Sequence, residues 1–215
     1  MKDGERVKKI LAILKKTYPK VTIALNYKTD LELLVAIILS AQCTDKKVNE
    51  VTPALFQKCP NALAFAKADL TMLEKMIRPT GFFKNKAKSI KNCCAILAEK
   101  YQGKVPKDFA KLIELPGVGR KSANAFLGNY YDVPGVVVDT HVIRIANLLG
   151  LTKNKDAVKI ELDLQPLIPK KDWTKFSLLI QAHGRNICIA RRPRCEVCPI
   201  LKLCSFGNSI LTKLG

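Results

Sequence analysis

Four cysteines near the C-terminus, Cys188, Cys195, Cys198 and Cys204, are spaced C-x6-C-x2-C-x5-C. Thiols at such short intervals are too crowded for a set of ordinary disulfides, but they can wrap one compact metal centre. Soft thiolate ligands select Zn²⁺ or an iron–sulfur cluster. Zinc sites usually present two C-x2–4-C pairs separated by a dozen residues or more. Here a single C-x2-C is flanked by one lone cysteine on each side. Successive loops of six, two and five residues suit ligands spread around a larger four-iron cubane. Zinc stays open as the alternative. Basic residues (Arg191, Arg192, Arg194 and Lys202) are interleaved with the four thiols.

A second constellation lies in the middle of the chain, at Leu115-Pro-Gly-Val-Gly-Arg-Lys-Ser-Ala123. A Pro-Gly-Val-Gly turn lets the backbone reach positive φ and approach a ligand without interference from Cβ atoms. With Gly117 and Gly119 presenting amides at the start of the next helix, the turn offers an anion site suited to a phosphate, and Arg120 adds charge. A tight helix–helix connector is the plainer alternative for the turn. Lys121 falls in the first turn of the following helix, at the unfavourable end of the helix dipole and beside Arg120. Both neighbours favour the uncharged amine that a Schiff-base nucleophile requires. A phosphate-contacting or solvated lysine is the other reading. Asp139 ends the apolar segment Gly135–Val138 and precedes a helix, so it reads as an N-cap. A carboxylate held that rigidly can also stabilise positive charge on a sugar or assist a proton transfer.

The elements that must position these residues are helical almost throughout. Val7, Ile10, Leu11 and Leu14 make one apolar face of an opening helix. Asp30 is the expected cap of a buried helix over Leu31–Gln42, and Thr44 of another with Val48, Val51 and Leu55 on one side. Asp69 starts a short helix through Ile77. A longer one over Lys84–Tyr101 turns Ile90, Cys94 and Leu97 inward and Lys84, Lys88 and Lys91 outward. Further helices are predicted near Lys107–Leu115, Lys121–Tyr130, Thr140–Leu149, Asp156–Leu167 and Asp172–His183. The fold class is all-α, with a break around Val133–Gly135.

Composition narrows the partners. In 215 residues, 37 Lys and Arg face 18 Asp and Glu, a formal net charge of +19. That excess calls for a polyanion, and nucleic acid is favoured over a membrane because no isolated amphipathic anchor is visible. The longest apolar run, Leu33–Leu39, is too short to span a bilayer, and no signal peptide is visible. Cys43, Cys59, Cys93 and Cys94 sit within apolar helical patterns as reduced thiols. A reducing intracellular compartment is therefore expected.

Taken together, LPGVGRKSA at Leu115–Ala123, VDTHVIR at Val138–Arg144, LSAQCTD at Leu39–Asp45 and the cysteine spacing closely resemble the endonuclease III family. These are bifunctional base-excision glycosylases of the helix–hairpin–helix superfamily, and the resemblance covers essentially the whole chain. It implies two helical lobes with a DNA-binding cleft between them. One is a six-helix barrel with the hairpin at 22–134; the other, 1–21 with 135–215, carries a [4Fe-4S] cluster on Cys188, Cys195, Cys198 and Cys204. It further implies Lys121 as nucleophile at the sugar C1′, Asp139 as the catalytic aspartate, and strand cleavage 3′ to the lesion by β-elimination. Gln42 matches a polar wedge into the base stack, and Phe82 lies near an apolar one. Gly117, Gly119, Arg120, Arg191, Arg192 and Arg194 would contact phosphates. The implied partner is double-stranded DNA with damaged pyrimidines or abasic sites, bound by a monomer in the cytoplasm at a bacterial or archaeal nucleoid. This chain departs from the family at Phe82-Phe83, where a Leu-Tyr pair is more usual, and at Cys43, which replaces a small residue. Two rivals are an adenine glycosylase, which lacks the nucleophilic lysine, and a non-catalytic module that uses the hairpin only to grip DNA.

Overall fold

Apolar residues recurring every three or four positions fold, among the residues described (3–214, with side chains for 3–209), into twelve α-helices and no strand. In this computed structural model they are α1 (Asp3–Thr17), α2 (Asp30–Leu39), α3 (Asp45–Lys58), α4 (Ala62–Lys67), α5 (Leu70–Ile77) and α6 (Phe83–Lys100). They continue with α7 (Phe109–Ile113), α8 (Arg120–Tyr130), α9 (Thr140–Leu148), α10 (Ala157–Leu164), α11 (Trp173–Asn186) and α12 (Ser205–Leu214). The chain divides into two compact units, one of residues 24–133 and the other of 1–23 with 134–215. No helix among the described residues is long and apolar enough to cross a membrane.

The 24–133 unit is organised on α2, whose Leu31 and Leu33 through Leu39 are all buried. A helix apolar all round must be enclosed by others, and α2 packs against α3, α6 and α8. It differs from expectation at both ends. Thr29, not Asp30, is the N-cap, its hydroxyl accepting from Glu32 N–H. The Asp30 carboxylate accepts instead from Leu31 N–H and, at 3.0 Å, from Val105 N–H, tying down the loop before α7. The helix stops at Leu39, and Gln42 lies beyond it in the left-handed region at φ 51°. Lys91 is not a solvent-facing residue of α6 either. Its Nζ donates to the carbonyls of Ala66 and Ala68 and closes the C-terminal end of α4, a helix the periodicity did not separate from its neighbours. Cys59, Cys93 and Cys94 are buried thiols, with burial pushing Cys93 up to about 12, whereas Cys43 is only half-buried.

The second unit has its own core. Val7, Ile10, Leu11 and Leu14 of α1 are buried, as the periodicity requires, with Val142, Ile145 and Ala146 of α9 and Phe176, Leu179 and Ile180 of α11. Val136–Val138 is buried and lies outside every helix. Its backbone polar groups must still find partners. Ser177 Oγ of α11 accepts from Val137 N–H at 2.9 Å, and Thr174 Oγ1 from Gly135 N–H at 3.4 Å. That anchorage delivers Asp139 to the start of α9.

Candidate functional site

The hairpin between α7 and α8 is shaped by two glycines with different duties. Gly117 has φ 81°, and a Cβ there would sit 2.9 Å from the Ser89 Cβ, so both conformation and space exclude a side chain. Gly119 is extended at φ −93° with nothing within 4 Å of a built Cβ. Its requirement is of another kind. Gly119 is the N-cap of α8 and offers no side-chain acceptor, so the first turn of that helix begins without a side-chain cap. Uncapped N–H groups at the positive end of a helix dipole are suited to an anion. Val118 between the glycines is buried and pins the turn, its N–H donating to Leu115 O at 3.0 Å.

Lys121 follows in the first turn of α8 and is exposed. Arg120 beside it holds its guanidinium 5.2 Å from the centre of the Phe109 ring, a cation–π contact that fixes its charge across the hairpin. Gln42 and Phe82, in the same unit, share an unusual property. Both are exposed non-glycine residues in the left-handed region, Phe82 at φ 48° and 64% exposed. Such conformations persist only where surrounding structure dictates them, and they concentrate at functional loops.

In the other unit Asp139 is the N-cap of α9, with Val142 N–H donating to its Oδ1 at 2.9 Å and Ile143 N–H to its carbonyl at 2.8 Å. One carboxylate oxygen thus holds the helix. Cys188, Cys195, Cys198 and Cys204 line one pocket, walled by Ile145, Leu149, Ile200 and His183 among others. Among the described residues no three Cys, His, Asp or Glu side chains are grouped as ligands of a single ion. Four cysteines around one pocket form a soft thiolate donor set that fits an iron–sulfur cluster. Burial pushes the Cys198 thiol up to about 11 and raises Cys188 and Cys195 as well. Metal charge would have to replace those protons for the sulfurs to ligate.

Two supports of this pocket carried no signal strong enough to single them out in the sequence. Arg144 donates to Cys188 O at 2.7 Å, and His183 Nε2 lies 3.6 Å from Cys198 Sγ while Tyr18 OH meets its Nδ1 at 3.3 Å. Burial pulls His183 down to about 4, so its ring is neutral. Arg144 closes the VDTHVIR stretch and His183 is one of only two histidines, which in hindsight marks both. Arg191, Arg192 and Arg194 are exposed in the loop after Cys188, and Arg191 is left-handed at φ 67°.

Comparison with known proteins gives a consistent picture. Residues 35–170 match the HhH-GPD superfamily base excision DNA repair protein model, and 188–204 match the iron-sulfur binding domain of endonuclease III. The chain is 51% identical to an endonuclease III of Synechocystis over 95% of its length and 94% of the relative. It is 36% identical to that of Escherichia coli K12 over 94% and 95%. A trapped endonuclease III–DNA covalent intermediate superposes with a TM-score of 0.92 at 38% identity, covering 98% of this chain and all of that one. A non-covalent endonuclease III–DNA complex also matches with a TM-score of 0.92 and 38% identity, over 99% of this chain and all of the other.

Proposed function

The chain belongs to the endonuclease III family of HhH-GPD base excision repair proteins, and from that premise we propose a residue-level account of how it works on DNA. The protein is a base-excision DNA glycosylase with AP lyase activity that binds DNA and carries a [4Fe-4S] cluster. We assign its substrates as oxidised pyrimidines and abasic sites in duplex DNA, bound by a monomer.

Lys121 is the nucleophile. The observation that carries this reading is its exposed position in the first turn of a helix with no side-chain cap, directly after the hairpin. The hairpin amides take a backbone phosphate and set the register of the strand, which carries no sequence information. The Lys121 amine bonds to the sugar C1′ as the bond from C1′ to the base breaks and the base leaves with a proton. The C1′–O4′ bond then breaks, with O4′ taking a proton, to give the ring-opened imine. It loses a C2′ proton as its C3′–oxygen bond breaks and the downstream strand leaves with a 5′ phosphate, and water hydrolyses the imine to free Lys121. Asp139 stabilises the positive charge that develops on the sugar, its carboxylate held by α9. Gln42 and Phe82 fill the gap in the stack left when the base is flipped out. Sodium borohydride trapping on abasic DNA tests the reading, because only an imine is reduced to a stable protein–DNA bond.

Phosphate gripping makes its own prediction. If the hairpin, Arg120 and the arginines at 191, 192 and 194 neutralise about five phosphates, log K falls with log salt at a slope of roughly −4 to −5. Gly119→Ala is the discriminating variant, since an alanine fits the unliganded protein but places a methyl where a phosphate would approach. It is expected to weaken damaged and undamaged duplex alike by roughly tenfold, about the worth of one hydrogen bond to a charged group. A slope near zero would reduce the basic excess to a solvated surface.

Cys188, Cys195, Cys198 and Cys204 hold the cluster in this reading. When bound there, the cluster is a fixed node from which the loop bearing Arg191, Arg192 and Arg194 is hung. Cys198→Ser exchanges a soft thiolate for a poor hydroxyl ligand. Iron content is expected to fall from four per chain, with loss of the brown charge-transfer absorbance, lower soluble yield and weaker DNA binding. Stoichiometric zinc without iron in anaerobically prepared wild-type protein would overturn the assignment.

A further inference from the structure

Lys86 is a lysine on α6 that is only 6% exposed, and the reaction described above gives it nothing to do. Its Nζ donates to two backbone carbonyls, Leu39 O and Thr80 O, each at 2.8 Å. Leu39 is the last residue of α2, and Thr80 is the last of the short 3₁₀ turn Arg78–Thr80. One ammonium therefore closes the C-terminal ends of two helical segments, where unsatisfied carbonyls carry partial negative charge. Three residues past the first of these carbonyls is Gln42, and two past the second is Phe82. Both are exposed and left-handed, as noted above, a property they share in the 24–133 unit with Gln102 and Asp132. Burying an ammonium is costly, and burial does lower the Lys86 pKa from the ordinary lysine range. A leucine would fill the space without that cost, but it could not fasten two carbonyls from different segments.

We propose that Lys86 is a positioning residue that clamps the Gln42 and Phe82 loops together, so that both side chains enter the base stack as one rigid unit. The proposal rests on the reading that these two residues insert into DNA. The Lys86 ammonium itself bonds the carbonyls of Leu39 and Thr80, not the phosphate-gripping hairpin or Lys121. Its loss is therefore expected to affect opening of the stack and to leave duplex affinity and imine chemistry alone.

The test uses full-length cluster-loaded protein and a duplex with 2-aminopurine opposite a tetrahydrofuran abasic analogue, which cannot react. Insertion unstacks the 2-aminopurine and raises its fluorescence. Lys86→Met is expected to slow the fluorescence rise at least tenfold, to the level of Gln42→Ala combined with Phe82→Ala. Affinity for undamaged duplex, and borohydride trapping on a single-stranded abasic oligonucleotide with no stack to open, should stay within twofold. Lys86→Arg, which keeps a cation and its donors, should recover most of the rate. A wild-type insertion rate in Lys86→Met, while Gln42→Ala and Phe82→Ala are slow, overturns the clamp and leaves the wedges standing. Wild-type rates in the two wedge variants overturn the reading beneath it, and the clamp with it. Should Lys86→Met fail to fold, hydrogen exchange of the wild type on the same duplex decides. A clamped pair gains protection at 40–43 and 81–83 with one rate; two separate rates overturn the proposal.

Discussion

Lys121→Gln is expected to abolish borohydride trapping and glycosylase turnover, by about four orders of magnitude or more, as when a nucleophile is removed from a machinery that acts as a unit. Glutamine is one bond shorter and keeps hydrogen-bonding capacity, but it has no amine to form an imine. The position is exposed on α8 and makes no core contact, so stability should be unchanged. Affinity for abasic duplex should survive with the loss of at most about one phosphate contact, lowering the salt slope by roughly one. Catalysis and binding would then separate in one variant. Trapping of Lys121→Gln at the wild-type rate would mean that another amine is the nucleophile, and the central assignment would fall.

Asp139→Asn should divide the reaction at its first step. Asparagine retains a side-chain oxygen that can accept from Val142 N–H, as Oδ1 of Asp139 does at 2.9 Å, so α9 keeps its cap and the protein folds. Only the negative charge is lost. The single-turnover rate of base removal is expected to fall by about 100-fold or more, the usual worth of a group that stabilises transition-state charge or moves a proton. Cleavage of a pre-formed abasic site should fall by less than about tenfold, because the base that needed departing-group help has gone. Equal loss on both substrates would assign Asp139 to the lyase step too. Loss of neither would leave it only the structural duty of a cap.

Much of this was open to reading in one dimension because the forces involved are local. The face Val7, Ile10, Leu11 and Leu14 follows from helix period, and all four are buried. Thr44, Asp69, Asp108, Asp139 and Asp156 each accept from an N–H three residues on, an interaction written within four residues of chain. The cysteine loops and the Pro-Gly-Val-Gly turn are equally short-range, and their spacing states the chemistry directly. Where two local choices compete, the same reasoning loses its grip. Thr29 and Asp30 are both good caps, and Thr29 prevails because the Asp30 carboxylate is engaged by Val105, seventy-five positions away.

The cations show most sharply where local chemistry stops and packing takes over. Composition alone carries the excess of 37 Lys and Arg over 18 Asp and Glu, the +19 charge that calls for a polyanion. Periodicity placed Lys84, Lys88 and Lys91 together on the outward side of one helix and gave no sign of what Lys86 does. Folding then buries Lys86, which reaches Leu39 across 47 positions, half-buries Lys91 against Ala66 across 25, and leaves Lys88 in solvent. The difference has one physical cause. A side chain's charge is local, but the carbonyls that can satisfy it arrive from elsewhere in the chain, and only the packed structure determines which lysine meets them.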